Sequence, residues 1–228
     1  MTEQSKVPQT LEEFRGSEQV VDPPVKTVLP SIEPENWSSY GEICLAIFPT
    51  INKDKIVPFK KHFTESGGTW LFVQFKVPDH GVSQPYNEEG PKAAERRTKD
   101  AISVFKKEYP NFRKDHQIGP TYIGTVESAF QMDGVDRPVD YATISSTNVL
   151  TGNVATVISK GVTLHRWFVD KARSQGFMDG NENRGRKTAG AVVAETFEGV
   201  DPQKWHKEAC GKDRREILGD AMENLSIP

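Results

Sequence analysis

The sequence is poor in cysteine and has no long hydrophobic run. Its 228 residues include two cysteines, Cys44 and Cys210, which lie far apart, whereas secreted disulfide scaffolds are small and dense in cysteine. The segment Met1 to Gln9 is polar, and the longest strongly apolar stretch, Ile43 to Phe48, is too short to span a bilayer. We therefore expect a cytoplasmic, reducing location, with neither secretion nor membrane insertion.

The signature motifs of several enzyme classes are also missing. The chain has no P-loop, no G-x-G-x-x-G after a strand, no H-E-x-x-H, no G-x-S-x-G and no C-x-x-C pair. A formal net charge of −3 gives no global electropositive field, so nucleic-acid binding would have to come from local patches. A dispersed active site is not excluded by any of these absences.

The chain has enough apolar residues for one hydrophobic core, which follows an N-terminal arm. Hydrophobic residues make up 36% of the chain, with twelve Phe and four Trp, which suits one substantial domain. Residues 1–36 carry prolines and carboxylates with few aromatics, so we expect a flexible arm that orders only on docking. Residues 37–228 are expected to form a single globular α+β domain, helix-rich and with a small sheet.

Two segments have the pattern of strands. Thr69 to Val77 alternates β-favouring residues between a glycine pair and Pro78, which predicts a strand. Thr121 to Met132 is interpreted as a second strand, whereas Glu42 to Phe48 is too short to distinguish a strand from a helical turn.

Apolar residues at three- and four-residue steps predict helices. A shorter helix is expected over residues 189–197, and Gly211 is expected to divide the last predicted helix. The four longer helices are predicted to begin near Lys92, Ser145, Leu164 and Pro202.

Metal ligands are sparse in the sequence. His206 and Cys210 are four residues apart on the predicted last helix and could face one ion, but two ligands do not complete a tetrahedral zinc site. Asp179 to Asn183 resembles the opening of a calcium loop, yet Arg184 stands where an EF-hand needs glycine. We therefore expect no metal and no cofactor.

Histidine and carboxylate side chains leave catalysis open. Asp79 beside His80, or Asp170 with His165, could supply a carboxylate-oriented base for hydrolysis. Spacing selects none of these pairs, and Asp79-His80 also suits a turn after the predicted strand.

Local positive charge gives the clearest binding signal. Between Lys92 and Asp115, eight basic side chains face four acidic ones, and a second basic cluster follows in a glycine-containing loop. A basic helix stripe can follow a phosphate backbone, although an ordinary solvated face has the same pattern. We predict nucleic-acid phosphate contacts from Lys92, Arg96, Arg97, Lys99, Arg184, Arg186 and Lys187.

The arm and the basic clusters together favour a non-enzymatic, self-assembling structural protein. Its organisation is that of viral coat, nucleocapsid or matrix proteins, and its expected partners are copies of itself and single-stranded nucleic acid such as RNA. Two alternatives remain. One is a hydrolase-type enzyme with a dispersed histidine and carboxylate site, and the other is a monomeric adaptor that binds a partner through the arm.

Overall fold

The computed structural model describes residues 6–78 and 80–228. They form a single α+β domain, which confirms the predicted fold class. The strands in chain order are β1 (Val20–Val21), β2 (Ile43–Phe48), β3 (Trp70–Gln74), β4 (Gln84–Pro85), β5 (Ile118–Gln131), β6 (Val139–Asn148), β7 (Val154–Ile158), β8 (Gly161–Thr163) and β9 (Arg184–Gly185).

Helices lie before, between and after these strands. In chain order the α-helices are α1 (Leu11–Phe14), α2 (Lys53–Glu65), α3 (Glu89–Glu108), α4 (Phe112–Asp115), α5 (Arg166–Arg173), α6 (Ala189–Thr196), α7 (Trp205–Cys210) and α8 (Arg214–Met222). Within the described ranges, no helix combines the length and apolar composition needed to cross a membrane.

The main sheet is mixed. Its described strands follow the order β1-β8-β6-β5-β2-β3, and β7 also pairs with β6. β2 runs parallel to both β3 and β5, whereas β6 is antiparallel to β5, β7 and β8. β4 and β9 form a separate ribbon, which a bridge between Tyr86 and Phe130 attaches to the distal end of β5. The carboxyl ends of β2 and β3 therefore open beside this ribbon.

Helices cover both faces of the sheet. On one face, Ile56, Phe59 and Phe63 of α2 pack with Leu218 and Met222 of α8. On the other face, α3 is buried through residues at three- and four-residue steps, among them Ala101, Ile102 and Phe105. A third cluster, formed by α1, α5, α6 and α7, lies beside β8.

The first turn of α3 lies directly against β5. A Cβ atom at Gly90 would come within 2.6 Å of the Ala129 Cβ, so only glycine permits this approach. Asn87, just before the helix, fixes the same junction because its side-chain oxygen accepts hydrogen bonds from the backbone of Met132 and Asp133. This contact places the middle of α3 over the centre of β5.

The segment from residue 6 to residue 36, expected to be an arm that orders only on docking, packs against the rest of the chain. Phe14 is fully buried, with its ring 5.0 Å from that of Phe197. The carboxylate of buried Glu18 forms an ion pair with Arg137 at 2.6 Å, and β1 adds to the sheet through β8. The segment gains its order from the apolar and ionic partners that the rest of the chain supplies, which its own composition does not reveal.

The helix predicted from Ser145 is wrong. Residues 139–148 and 154–158 form β6 and β7, joined by a turn at Gly152, whose φ is +72°. All residues of β6 are buried, so the strand shows no alternation, and its Thr and Val residues favour the extended backbone. The sheet is consequently larger than the small one expected.

Other predicted elements are confirmed. β3 lies within its predicted strand, and β5 overlaps the strand predicted from Thr121 to Met132 but begins three residues earlier, at Ile118. α6 lies within its predicted range, and α5 begins two residues after Leu164. α3 begins three residues before Lys92. The last predicted helix is divided as expected, since Gly211 ends α7 in the left-handed conformation and α8 follows.

Candidate functional site

A polar cleft opens at the carboxyl end of β2 and β3, below the first half of α3. Ligands of open sheets containing parallel strands commonly bind at this end of the strands. One wall is apolar and includes Val77, Pro78, Val82 and Pro85. The opposite wall and the floor carry charged side chains from three elements.

Glu127 of β5 is the buried carboxylate at the floor of the cleft. Arg97, from α3, forms an ion pair with Glu127 through Nε, and its Nη1 donates to the Pro49 carbonyl at 3.2 Å. The Lys55 Nζ lies 4.0 Å from Glu127 Oε1 and donates to the Val126 carbonyl at 2.7 Å. Two cations from two helices therefore share one buried carboxylate.

Local structure explains why Lys55 reaches this carboxylate. After β2 ends at Phe48, a turn leads to Asn52, whose side chain accepts from Asp54 N and so caps α2. Lys55 lies in the first turn of that helix. Burial lowers the pKa of the Lys55 ammonium, Glu127 opposes this shift, and the positive charges of Arg97 and Arg214 add to it.

A second buried carboxylate, that of Glu89, lies near the cleft without lining it. Glu89, in the first turn of α3, accepts from Arg96 Nη2 at 2.6 Å, and Arg184 Nε lies 3.4 Å from the same oxygen. Arg184 also forms an ion pair with Asp179 at 2.6 Å. The two predicted basic clusters thus meet at Glu89.

At the rim, His80 Nε2 lies 2.7 Å from Asp100 Oδ2. Both residues line the cleft. The sequence suggested Asp79 as the partner of His80, but Asp79 lies outside the described residues. The observed carboxylate comes from α3, twenty positions further along the chain.

The remaining predicted phosphate contacts lie outside the cleft. Lys92 and Lys99 project from α3 and form exposed ion pairs with Glu88 at 3.6 Å and Glu95 at 2.5 Å. Lys187 forms an ion pair with Glu195 at 2.6 Å. Arg186 Nε donates to the Phe177 carbonyl at 2.9 Å. Their contact with nucleic acid stays a prediction.

A further charged cluster lies on the opposite face of the sheet, between β6, α7 and α8. The carboxylate of Asp140 accepts from His206 Nε2 at 2.6 Å and from Arg214 Nη1 at 2.7 Å. Burial alone would raise the pKa of Asp140, but Arg214 and His206 outweigh it and hold that pKa below its usual value. Burial lowers the pKa of His206, which favours the neutral imidazole. Since the ionised carboxylate of Asp140 can only accept, the ring proton lies on Nε2.

His206 and Cys210 do not face a common ion. The imidazole of His206 bonds to Asp140, while the Cys210 thiol donates to the backbone carbonyl of His206 at 3.2 Å. Across residues 6–78 and 80–228, no three or more His, Cys, Asp or Glu side chains form a group able to hold a metal ion. The Asp140 cluster instead ties α7 and α8 to the sheet.

Sequence reasoning missed Lys55, Glu89 and Glu127. A signal for Lys55 was present, because Ile56, Phe59 and Phe63 have helical spacing directly after an Asn that can cap a helix. Glu127 has no comparable signal, because a single carboxylate within a strand cannot be recognised as a site residue from sequence. Only the fold shows that helices α2 and α3 bring cations to it.

The fold and the cleft define an α+β domain whose polar site lies where parallel strands end. No protein-family model and no curated protein matches the chain. Solved structures do match it, and one is the crystal structure of protein VC0702 from Vibrio cholerae, with a TM-score of 0.53 and 16% sequence identity. The match covers 78% of this chain and 90% of that chain. At this level of identity the likeness shows the fold alone.

Proposed function

We propose that the chain binds a small organic molecule bearing a phosphate group in the polar cleft. The observation that supports this most is that Arg96 and Arg97 both line the cleft, while the ammonium of Lys55 lies behind its floor, 4.0 Å from Glu127. Arginine presents several donors in a planar fork that suits phosphate oxygens, and lysine adds a compact charge.

The opposite wall suits the organic part of such a ligand. Small-molecule sites usually combine apolar surface with a few oriented polar groups, and Val77, Val82 and Pro85 supply that surface here. Glu127 and Glu89 pair with Arg97 and Arg96, and a phosphate would compete with them for the arginine donors. The side chains of Arg96 and Arg97 are about one-third exposed, so a ligand can reach them.

The first prediction contrasts residues on the same helix. Calorimetric titration with pyrophosphate and with ATP as probes should give saturable binding to the unaltered chain. Arg96→Gln and Arg97→Lys should each weaken it about tenfold, because each removes an arginine hydrogen-bond fork. The matched control is the double variant Lys92→Gln/Lys99→Gln, which removes two exposed cations from α3 and should leave the affinity unchanged.

The same variants separate this proposal from the nucleic-acid hypothesis. Binding of a single-stranded RNA oligonucleotide that weakens in Lys92→Gln/Lys99→Gln, or on replacing Arg184, Arg186 and Lys187 with Ala, would favour phosphate-backbone contacts on the surface. Absence of pyrophosphate and ATP binding, combined with such RNA binding, would reject the small-molecule site.

A hydrolase-type activity is a second candidate, supported by the His80 and Asp100 pair at the rim. A carboxylate-oriented imidazole can take a proton from water that attacks a bound ester or anhydride. We predict that phosphate release from ATP, if the chain catalyses it, falls at least tenfold in His80→Gln and Asp100→Asn. His116→Gln, which alters an exposed histidine elsewhere, is the control; equal rates in all three variants would remove the pair from the site.

A further inference from the structure

An open groove runs between α2 and α8 on the face of the sheet opposite α3. The two helices run side by side in the same direction, since Arg215 near the start of α8 forms an ion pair with Asp54 near the start of α2 at 2.5 Å. Further along, Met222 of α8 packs in the same cluster as Phe63 of α2. The groove has a volume of about 300 Å³ and shares no lining residue with the polar cleft.

The floor of the groove is apolar. Pro58 and Met222 line it, and Val57 at its edge is 45% exposed, which is unusual for a large aliphatic side chain in the middle of a helix. An exposed apolar surface rimmed by polar residues is typical of an interaction site.

Gly219 lies within α8 and lines the same groove. Glycine inside a helix costs about 1 kcal/mol of stability relative to alanine. The backbone does not require a glycine at position 219, because the φ of Gly219 is not positive and a Cβ atom there would meet nothing within 4 Å. The missing side chain therefore leaves space into which the backbone of another element can approach.

The rim of the groove is predominantly acidic. Its carboxylates are Glu65, Glu216, Asp220 and Glu223, against two cations, Lys61 and Arg215. Both cations are engaged within the chain, Arg215 with Asp54 and Lys61 with Glu65 at 3.9 Å. Asp220 lies 3.4 Å from Lys212 and Glu216 accepts from the Asp213 backbone at 2.9 Å, but the carboxylates still outnumber the cations. The groove thus presents excess negative charge to an incoming partner.

We infer that this groove docks an amphipathic α-helix of a partner polypeptide, with apolar residues on one face and Lys or Arg on its flanks. Helices bind in such grooves through apolar anchors at helical spacing, and the acidic rim selects basic flanks. The nine residues of α8 extend about 13 Å at ~1.5 Å per residue, which suits roughly two to three turns of a docked helix.

The test uses a fluorescent, short synthetic helical peptide with leucines on one face and lysines on the flanks, measured by anisotropy against the full chain. A second peptide carries glutamates in place of the lysines. We expect saturable binding of the lysine peptide and none of the glutamate peptide. Gly219→Leu and Glu223→Lys should each weaken binding about tenfold, whereas Asp136→Lys, on an exposed loop away from the groove, should not.

A folding control accompanies these variants. Gly219→Ala should raise the midpoint of thermal unfolding, because alanine favours the helix, while still weakening the peptide complex. Weaker binding in a more stable variant cannot be attributed to misfolding.

The inference would be overturned if the lysine peptide failed to bind, if Gly219→Leu left its binding unchanged, or if both peptides bound equally. Sedimentation showing a dimer that Gly219→Leu dissociates would likewise reject it, and would assign the groove to a second copy of this chain.

Discussion

At the scale of single residues, His206 is the most deeply buried histidine of the described residues. Its side chain is 3% exposed, donates to Asp140 through Nε2, and stacks on Trp205 with ring centroids 4.0 Å apart. Its Nδ1 is buried and meets no hydrogen-bond partner within the described residues. A second proton on Nδ1 would therefore be unsatisfied, and the charged ring would lie close to the Arg214 guanidinium, whose Nη1 is 2.8 Å from Nε2.

His206 makes stability fall as pH falls below neutrality. The folded pKa is lowered from 6.5, so the unfolded chain takes up a proton near that pH while the folded chain does not, and unfolding is favoured down to the folded pKa. We predict that the urea midpoint of the unaltered chain decreases between pH 7.5 and pH 5.5. His206→Gln, which keeps a donor for Asp140, should flatten this decrease.

Two other ionisable groups, His62 and Asp140, also contribute to the pH dependence of stability. Burial also lowers the pKa of His62, so the His206→Gln variant should retain part of the slope. The lowered pKa of Asp140 acts below about pH 4, since its stabilisation is present above the unfolded pKa and lost as pH falls through the folded one. His116→Gln is the matched control, and a His206→Gln slope equal to the original would contradict this role.

Residue types in the candidate site were more predictable than their partners. The basic stripe lies on α3, and two of its residues, Arg96 and Arg97, line the cleft. Sequence spacing could not distinguish them from Lys92 and Lys99, because the distinction depends on which side of the helix faces β5 and the buried Glu127. The His80 pair shows the same limit, since its observed partner Asp100 comes from a different element.

At the scale of elements, the N-terminal segment packs closely on the domain although its own sequence only weakly favours secondary structure. α1 has four residues and would not persist alone. Its Phe14 nevertheless lies in the cluster formed by α5, α6 and α7, with rings of Phe168 and Phe197 at 5.7 and 5.0 Å.

Docking of this segment makes a clear prediction for stability. Phe14→Ala should reduce the free energy of unfolding by about 3–5 kcal/mol, because it empties a fully buried aromatic site. Val28→Ala, in the same segment but 82% exposed, should change it little. Chemical denaturation of both variants gives the comparison, and equal stabilities would mean that the segment is not docked in solution.

The helix α3, which has one solvated face, was predictable, whereas the fully buried strand β6 was not. α3 alternates buried and exposed positions at helical spacing, so its pattern could be recognised. β6 is buried along its whole length. The spacing that resembled a helix came from apolar residues between Val149 and Ile158, which lie in the following turn and in β7. The β6 strand could be assigned only through its pairing with β5, β7 and β8, which are contacts distant in sequence.

At the scale of the whole molecule, self-assembly through the arm stays a prediction with an added requirement. Arm exchange between neighbouring copies would have to withdraw Phe14 from its cluster and Glu18 from its ion pair with Arg137. The buried contacts of residues 6–36 are more easily understood as part of one folded chain. The site formed by α2, α3 and β5 is complete within that chain, which is why the small-molecule proposal needs no second copy.

The central claim is that the cleft, rather than the exposed basic surface, receives a phosphate group. The most direct measurement is a titration of the isotope-labelled chain with pyrophosphate, followed by backbone amide resonances in NMR. We predict saturable shifts at the first turn of α2, the middle of α3 and the centre of β5, around Lys55, Arg97 and Glu127. Shifts spread over Lys92, Lys99 and Lys187, or no saturable shift at the cleft, would contradict the account.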